Sequence, residues 1–300
     1  MTMATVKSRS VSASPAAARR VRHPQRRLLK VLLTALAAIV AILFILPGLW
    51  MLLGSLRPGN QVIESVSPLG WHTLFPTTWT LDNYVALFGE LRFGRSMANS
   101  LLVAFASVVL GLVISVPAAY AVSVLKFPGR EAVFTILVVG FMIPFEAIAI
   151  PLAQFFTDWH LNNSYLGLIL PGIGNGLAIF NLRQSFRGVP SSLREAAFID
   201  GASDLRIMTR IYVPLNVTTL INSALLIFLA QWSSYLWPLL MVSDERRQVA
   251  PIAIARTYTD TQVNFGQMFG GTLLISVVPA LLLLFLQRFF ARSIATSGEK

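Results

Sequence analysis

The sequence predicts an all-α integral membrane protein with about six transmembrane helices and both termini in the cytoplasm. Composition, segment length and charge placement carry that reading. Of 300 residues, 55% are hydrophobic and 12% charged, about half the roughly 25% charge of a soluble domain. Uncharged runs cover residues 31–56, 96–125, 132–145, 161–182, 211–242 and 262–287. A spanning helix needs roughly 20 mainly apolar residues. Five runs exceed that, and the third continues past Glu146 through 147–156. Threading the chain with its N-terminus inside leaves six of the 24 basic residues on the outer side: Arg57, Arg92, Arg95, Arg246, Arg247 and Arg256. The remainder fall on the inner side, as the positive-inside rule demands. The net charge of +11 therefore reads as topology, and no nucleic-acid partner is called for.

The elements follow in order. Residues 1–30 are rich in Ser, Ala and Arg, a basic, disordered cytoplasmic tail that can also rest on anionic lipid. The transmembrane domain is placed at 31–292. Helix 1 spans 31–53 with Pro47; it is too long for a signal-peptide core and no small-residue cleavage site follows. An outer segment, 57–97, contains a short helix capped by Thr80, with Trp71, Trp79 and Tyr84 suited to a membrane interface. Helix 2 is 99–125, and the tight turn at Lys126-Phe127-Pro128-Gly129-Arg130 makes helix 3, 132–155, its antiparallel neighbour. Helix 4 is 165–182, helix 5 212–240 and helix 6 269–289, followed by a cytoplasmic tail at 293–300. Every span contains or abuts proline. That fits a bundle that moves or lines a cavity, and equally the general frequency of proline in membrane helices. Gly172, Gly174 and Gly176 lie inside an apolar span without the strand a dinucleotide fingerprint needs, so they mark close packing or local unwinding.

The inner loop 183–211 is the most ordered polar stretch. Ser192 and Glu195 have capping-box spacing ahead of a helix at 193–200. Gly201 can supply the positive φ that ends it. Ser203 can cap a second helix, 204–212, with Leu205, Met208, Ile211 and Tyr212 on one face. Ala196, Ala197 and Phe198 then stand near a tight glycine corner, where small side chains admit another surface. An ordinary helical hairpin is the competing reading.

The run Glu195-Ala196-Ala197, Asp200-Gly201, nine residues, then Ile211-x-Val213-Pro214 resembles the EAA loop of ABC-importer permeases, with Val213 where leucine is usual. Further segments are similar to the sugar-importer branch of that family. They are Leu81-Asp82-Asn83-Tyr84 with Asn99-Ser100-Leu101, and Ala118-Ala119-Tyr120-Ala121 with Phe127-Pro128-Gly129-Arg130. Met142-Ile143-Pro144 with Ile150-Pro151-Leu152, and Trp232 with Pro238-Leu239, complete the set. The shorter permease of maltose-type importers is the nearest likeness, over residues 30–292; the tail 293–300 departs from it. The resemblance implies a type I importer permease in the bacterial inner membrane. Glu195, Ala196, Ala197, Asp200 and Gly201 would form the coupling helix seated in a cytoplasmic ATPase dimer. It also implies a second, different permease and an extracytoplasmic sugar-binding protein. ATP and Mg would belong to the ATPase, with no cofactor on this chain.

Inside the membrane Glu146 is an acidic residue well within a span. Such a carboxylate faces either a wet cavity or a packed hydrogen-bonding partner. Helix 5 carries Asn222, Gln231, Trp232 and Tyr235, the amide, hydroxyl and ring chemistry that a neutral polyol needs, and equally that of interhelical contacts. No catalytic or metal site is expected. Cysteine is absent, and His23, His72 and His160 are scattered. No phosphate-binding loop, G-x-S-x-G or H-E-x-x-H occurs. A membrane enzyme lacks its reacting groups, and a self-contained carrier has no use for the ordered loop. A permease for an amino acid, peptide or anion is the alternative to a sugar permease.

Overall fold

The computed structural model describes residues 24–297 apart from 60 and 258–262. The expected tail at 1–30 lies outside the described residues up to 23, and the expected tail at 293–300 lies outside them beyond 297. The chain divides into two units, 1–48 and 49–300. In the first, helix α1 (Pro24–Ser55, continuing into the second unit) exposes its apolar side chains from Leu29 to Leu46, as a lipid-facing helix does.

After the end of α1 the second unit continues with the segment expected on the outer side, which holds two single turns, α2 (Gln61–Glu64) and α3 (Trp71–Leu74), and helix α4 (Asp82–Gly89). The Thr80 hydroxyl accepts from the Asp82 N–H, close to its expected capping role. Asn83 donates to the carbonyls of Ser55 and Arg57, and the Tyr84 hydroxyl meets Ser55 at 2.7 Å. Tyr84 is therefore tied inward, whereas Trp71 and Trp79 stay exposed.

The long α5 (Phe93–Ser123) is the axis of the unit. It packs on α8 (Tyr165–Ile173), α9 (Gly176–Arg187) and α13 (Val217–Trp232). A stripe of Ser100, Ala104, Ser107, Gly111, Ser115 and Ala119 is buried along it, and small residues let helix backbones approach in lipid. At one end Asn99 donates to the carbonyls of Arg246 and Gln248 and accepts from the Tyr165 hydroxyl. At the other, Tyr120 reaches the loop after α9. Those residues are about 30 Å apart at 1.5 Å per residue, the thickness of the hydrocarbon layer.

Among the described residues four helices are long and apolar enough to cross a membrane, and counting each of two bent pairs as one span gives the six expected. The bends correct the expectation of continuous helices 3 and 5. The third span is α6 (Arg130–Met142) and α7 (Phe145–Asp158), bent 93°. Pro144 holds Ile143 in extended backbone because its ring disfavours the helical region for the preceding residue. The fifth span bends 86° at Asn216, between α12 (Val213–Leu215) and α13. Its chain then leaves the helix again after Trp232 and resumes as α14 (Leu236–Met241). The fourth span is also interrupted, between Ile173 and Gly176, so the glycine run is a point of unwinding. Helix α15 (Ala250–Ala255) and the long α16 (Phe265–Ser297) complete the unit.

Gly167 is a close backbone approach. A Cβ there would run into the Leu161 carbonyl oxygen, and its own carbonyl accepts from the Trp237 indole at 2.9 Å. Gly140 has open space around it. Gly167→Ala is expected to cost about 1–3 kcal/mol through overpacking, read as a lower apparent melting temperature in detergent. Gly140→Ala, the control, should leave it unchanged.

Candidate functional site

Two sites emerge, at different places along α5. The first is the loop after α9. Helix α10 (Ser191–Ile199) starts at Pro190, in extended backbone, with no side-chain cap. Ser192 therefore sits inside the first turn and cannot form the expected capping box with Glu195. The other end follows the sequence closely. Gly201 has φ +78°. Its N–H donates to the Phe198 carbonyl, and the Ala202 N–H to that of Ala197, the paired bonds that close a helix on a left-handed residue. The Asp200-Gly201 step is thus the C-cap, and Ala197 is the residue it closes on.

Ser203 caps α11 (Asp204–Ile207), its hydroxyl accepting from the Arg206 N–H. The second helix does not continue regularly. A π turn covers Met208–Tyr212, since Pro214 lacks an N–H and crowds the carbonyl one turn before it. The wider turn places Ile207, Met208 and Tyr212 in the core and leaves Leu205 exposed, which corrects the predicted face.

Helix α10 buries nothing: Phe198 is 63% exposed and Ile199 85%. Glu195, Ala196, Asp200 and Gly201 are also exposed, and Ala197 is half-buried against the core below. What holds this projecting helix is a polar clasp. Asp204 accepts from the Arg194 guanidinium at 3.1 Å and from the Tyr120 hydroxyl at 3.0 Å. The Tyr120 hydroxyl, and then the Asp204 carboxylate, keep the Arg194 guanidinium above its ordinary value. Beneath it Tyr212 stands edge-on to Tyr120 and to Phe186, at 5.1 and 5.6 Å between centroids. Alongside, Arg183 is 3% exposed. It donates to the Val122 carbonyl and to Glu131 and lies 3.7 Å over the Phe134 ring.

The second site is a cavity of about 530 Å³, within the range of small-molecule sites. Three interrupted spans meet there. Phe141, Phe145 and Glu146 come from the α6–α7 break, Gly172, Gly174 and Asn175 from the α8–α9 break, and Ser233, Ser234 and Tyr235 from the α13–α14 break. Irregular backbone at membrane depth is tolerated where it is buried in protein or lines a wet cavity. Of the residues expected on a solute path, Glu146, Gln231 and Tyr235 line this cavity. Trp232 does not: it is 2% exposed, stacks on Phe228 and donates its indole N–H to the Ile275 carbonyl. Asn222 is half-buried about two and a half turns before Gln231 in α13 and is not among the lining residues. Sequence reasoning missed Asn175, which caps α9 from the cavity wall by accepting from the Ala178 N–H. The signal was present, as an amide inside the glycine run. Among the described residues no three His, Asp or Glu side chains gather as a metal requires.

The two sites are joined. α9 begins at the cavity and ends at Phe186 under the clasp. α13 carries Gln231 in its last turn and follows Asn216, whose side chain donates to the Tyr212 carbonyl and accepts from Ser185 of α9. Replacing Asp204 with Ala should loosen α10 while sparing the spans. Backbone hydrogen exchange over 191–207 should rise about fivefold, the equivalent of about 1 kcal/mol of local opening. Unchanged exchange would mean that the aromatic packing alone holds the helix.

Comparison with known proteins agrees with this geometry. The chain is 33% identical over 271 residues to the arabinooligosaccharides transport system permease AraQ of Halalkalibacterium halodurans, covering 90% of this chain and 96% of that one. It is 28% identical to the lactose transport system permease LacG of Rhizobium radiobacter, covering 91% and 97%. Its fold is shared by a chain of a bacterial ABC transporter that imports the acidic polysaccharide alginate. The TM-score is 0.74 at 23% identity, over 92% of this chain and all (100%) of that one. Residues 107–296 match the family described as the binding-protein-dependent transport system inner membrane component, and the chain belongs to that family of inner-membrane transport permeases.

Proposed function

We propose that this chain is a membrane-spanning permease subunit of an ATP-driven saccharide importer, in which α10 is the coupling helix and the cavity at the three helix breaks is part of the sugar path. The observation that carries the reading is the physical link between them: a helix with no buried residue, clasped through Asp204 and Tyr120 to the spans that shape the cavity. A helix so exposed and so firmly held is suited to receive force from a partner. Phe198 and Ile199 offer that partner apolar area, and Glu195, free of any capping duty, offers it a charge.

The partner in this reading is a cytoplasmic ATPase dimer that binds ATP and Mg. Its closure draws α10 sideways, and the clasp passes the movement to α9 and α13. The bends at Pro144 and Asn216 are the joints about which half-spans tilt, so that the cavity opens alternately to each side. A second, different permease supplies the facing wall, and an extracytoplasmic binding protein delivers the solute. Gln231, Ser233, Ser234 and Tyr235 supply amide and hydroxyl groups beside aromatic rings, the chemistry of a polyol site. The solutes named for similar permeases are arabinooligosaccharides and lactose, while the transporter of like fold carries an acidic polysaccharide; saccharide is common to all three.

Purification of the tagged chain in mild detergent should bring down an ATPase, a second permease and a binding protein, identified by mass spectrometry. Recovery of the chain alone, even after gentle crosslinking, would overturn the reading. Gly201→Asp should place a side chain on left-handed backbone at about 1–2 kcal/mol. The open space there leaves the fold intact, so insertion should persist while uptake falls at least tenfold. Normal uptake by this variant would remove α10 from the coupling path.

A further inference from the structure

Glu146 stands in the first turn of α7 and lines the cavity. The remaining polar side chains on that wall are neutral: Asn175, Gln231, Ser233, Ser234 and Tyr235. No lysine, arginine or histidine is among the lining residues. The ion pairs among the described residues lie elsewhere, joining Arg130 and Arg183 to Glu131, Arg194 to Asp204 and Arg256 to Glu245. Nor does Glu146 cap its own helix, whose N-cap is Pro144 with no side-chain bond. The cavity thus carries one carboxylate and no described countercharge. Glu146 is exposed and lines the open cavity, so its charge meets an approaching solute directly.

We infer that Glu146 is the charge filter of the cavity: its carboxylate turns back saccharides bearing carboxylate or phosphate groups and passes neutral and cationic ones. The inference rests on the saccharide path proposed above and narrows its substrate class. Shape, hydroxyl count and ring stacking discriminate among neutral sugars through the other lining groups. Glu146 discriminates by sign alone, because a passing anion must approach it with no described cation to offset the repulsion. A carboxylate retained only to favour the start of α7 would act on stability and not on selectivity.

The test uses the whole complex with its binding protein, reconstituted in liposomes. Two probes are supplied at concentrations that saturate the binding protein. They are the neutral oligosaccharide that it holds most tightly in a screen, and the aldonic acid made by oxidising that sugar's reducing end. Wild-type complex should take up the neutral sugar at least tenfold faster than the aldonate. Glu146→Gln should narrow that gap to under threefold by raising aldonate uptake, and Glu146→Asp should preserve the gap. Should the Gln variant fail to assemble, Glu146→Ser replaces it under the same criterion. An unchanged gap in an intact neutral variant overturns the filter. So does loss of uptake of both sugars, since the carboxylate would then serve movement and not selection. A wild-type complex that carries no saccharide overturns the importer reading itself, an outcome distinct from one that carries both probes equally.

Discussion

In a bilayer every backbone N–H and C=O needs a partner that lipid cannot supply, and the rest of this structure follows from how the chain meets that demand where its helices break. Among the described residues three spans are interrupted, and one break from each lines the same cavity, while the bend at Asn216 lies apart beside the clasp. Breaks facing hydrocarbon would leave their backbone groups unpaired. Gathered, they leave one polar hollow, and the side chains nearest it take up part of the debt: Asn175 accepts from Ala178, and Gln231 donates to the Leu168 carbonyl at 2.9 Å. The cavity and the bends are thus one feature. The unbroken α5 supplies what they lack, a continuous axis with a buried stripe of small residues against which the broken spans pack.

The same demand explains the join between cavity and loop. Asn216 sits at a bend where its backbone leaves the helix, and its side-chain amide serves the Tyr212 carbonyl while its oxygen accepts from Ser185. Ser185 also meets Thr219 at 2.9 Å. α9 and α13 are therefore fastened next to the clasp and carry the cavity at their far ends. Neither helix is interrupted along that stretch, so displacement at one end is carried to the other.

Much of this was legible in the sequence. The six spans followed from length and charge, and the glycine corner followed from Asp200-Gly201, because positive φ is a local property that one residue type supplies. The N-cap of α10 was misread because Pro190 fixes its own backbone and starts the helix early, overriding the hydroxyl two residues on. The π turn was invisible because its cause, Pro214, acts backwards on a turn whose apolar residues fit either register. The bends at Pro144 and Asn216 were hinted at by proline but not located, since lipid-spanning helices often carry proline without breaking. The convergence of the breaks, and with it the separation of Tyr235 and Gln231 from Trp232, depends on packing between spans. No single segment records that.

Helix α10 owes its position to residues outside its own outer face. Asp204, Tyr120 and Tyr212 hold it from beneath, and its exposed side chains add nothing to any core cluster. Substitutions on that face are therefore nearly silent for folding. Under the proposed coupling role, drift there is limited by recognition alone, and that face can change its partner while the bundle beneath it stays the same.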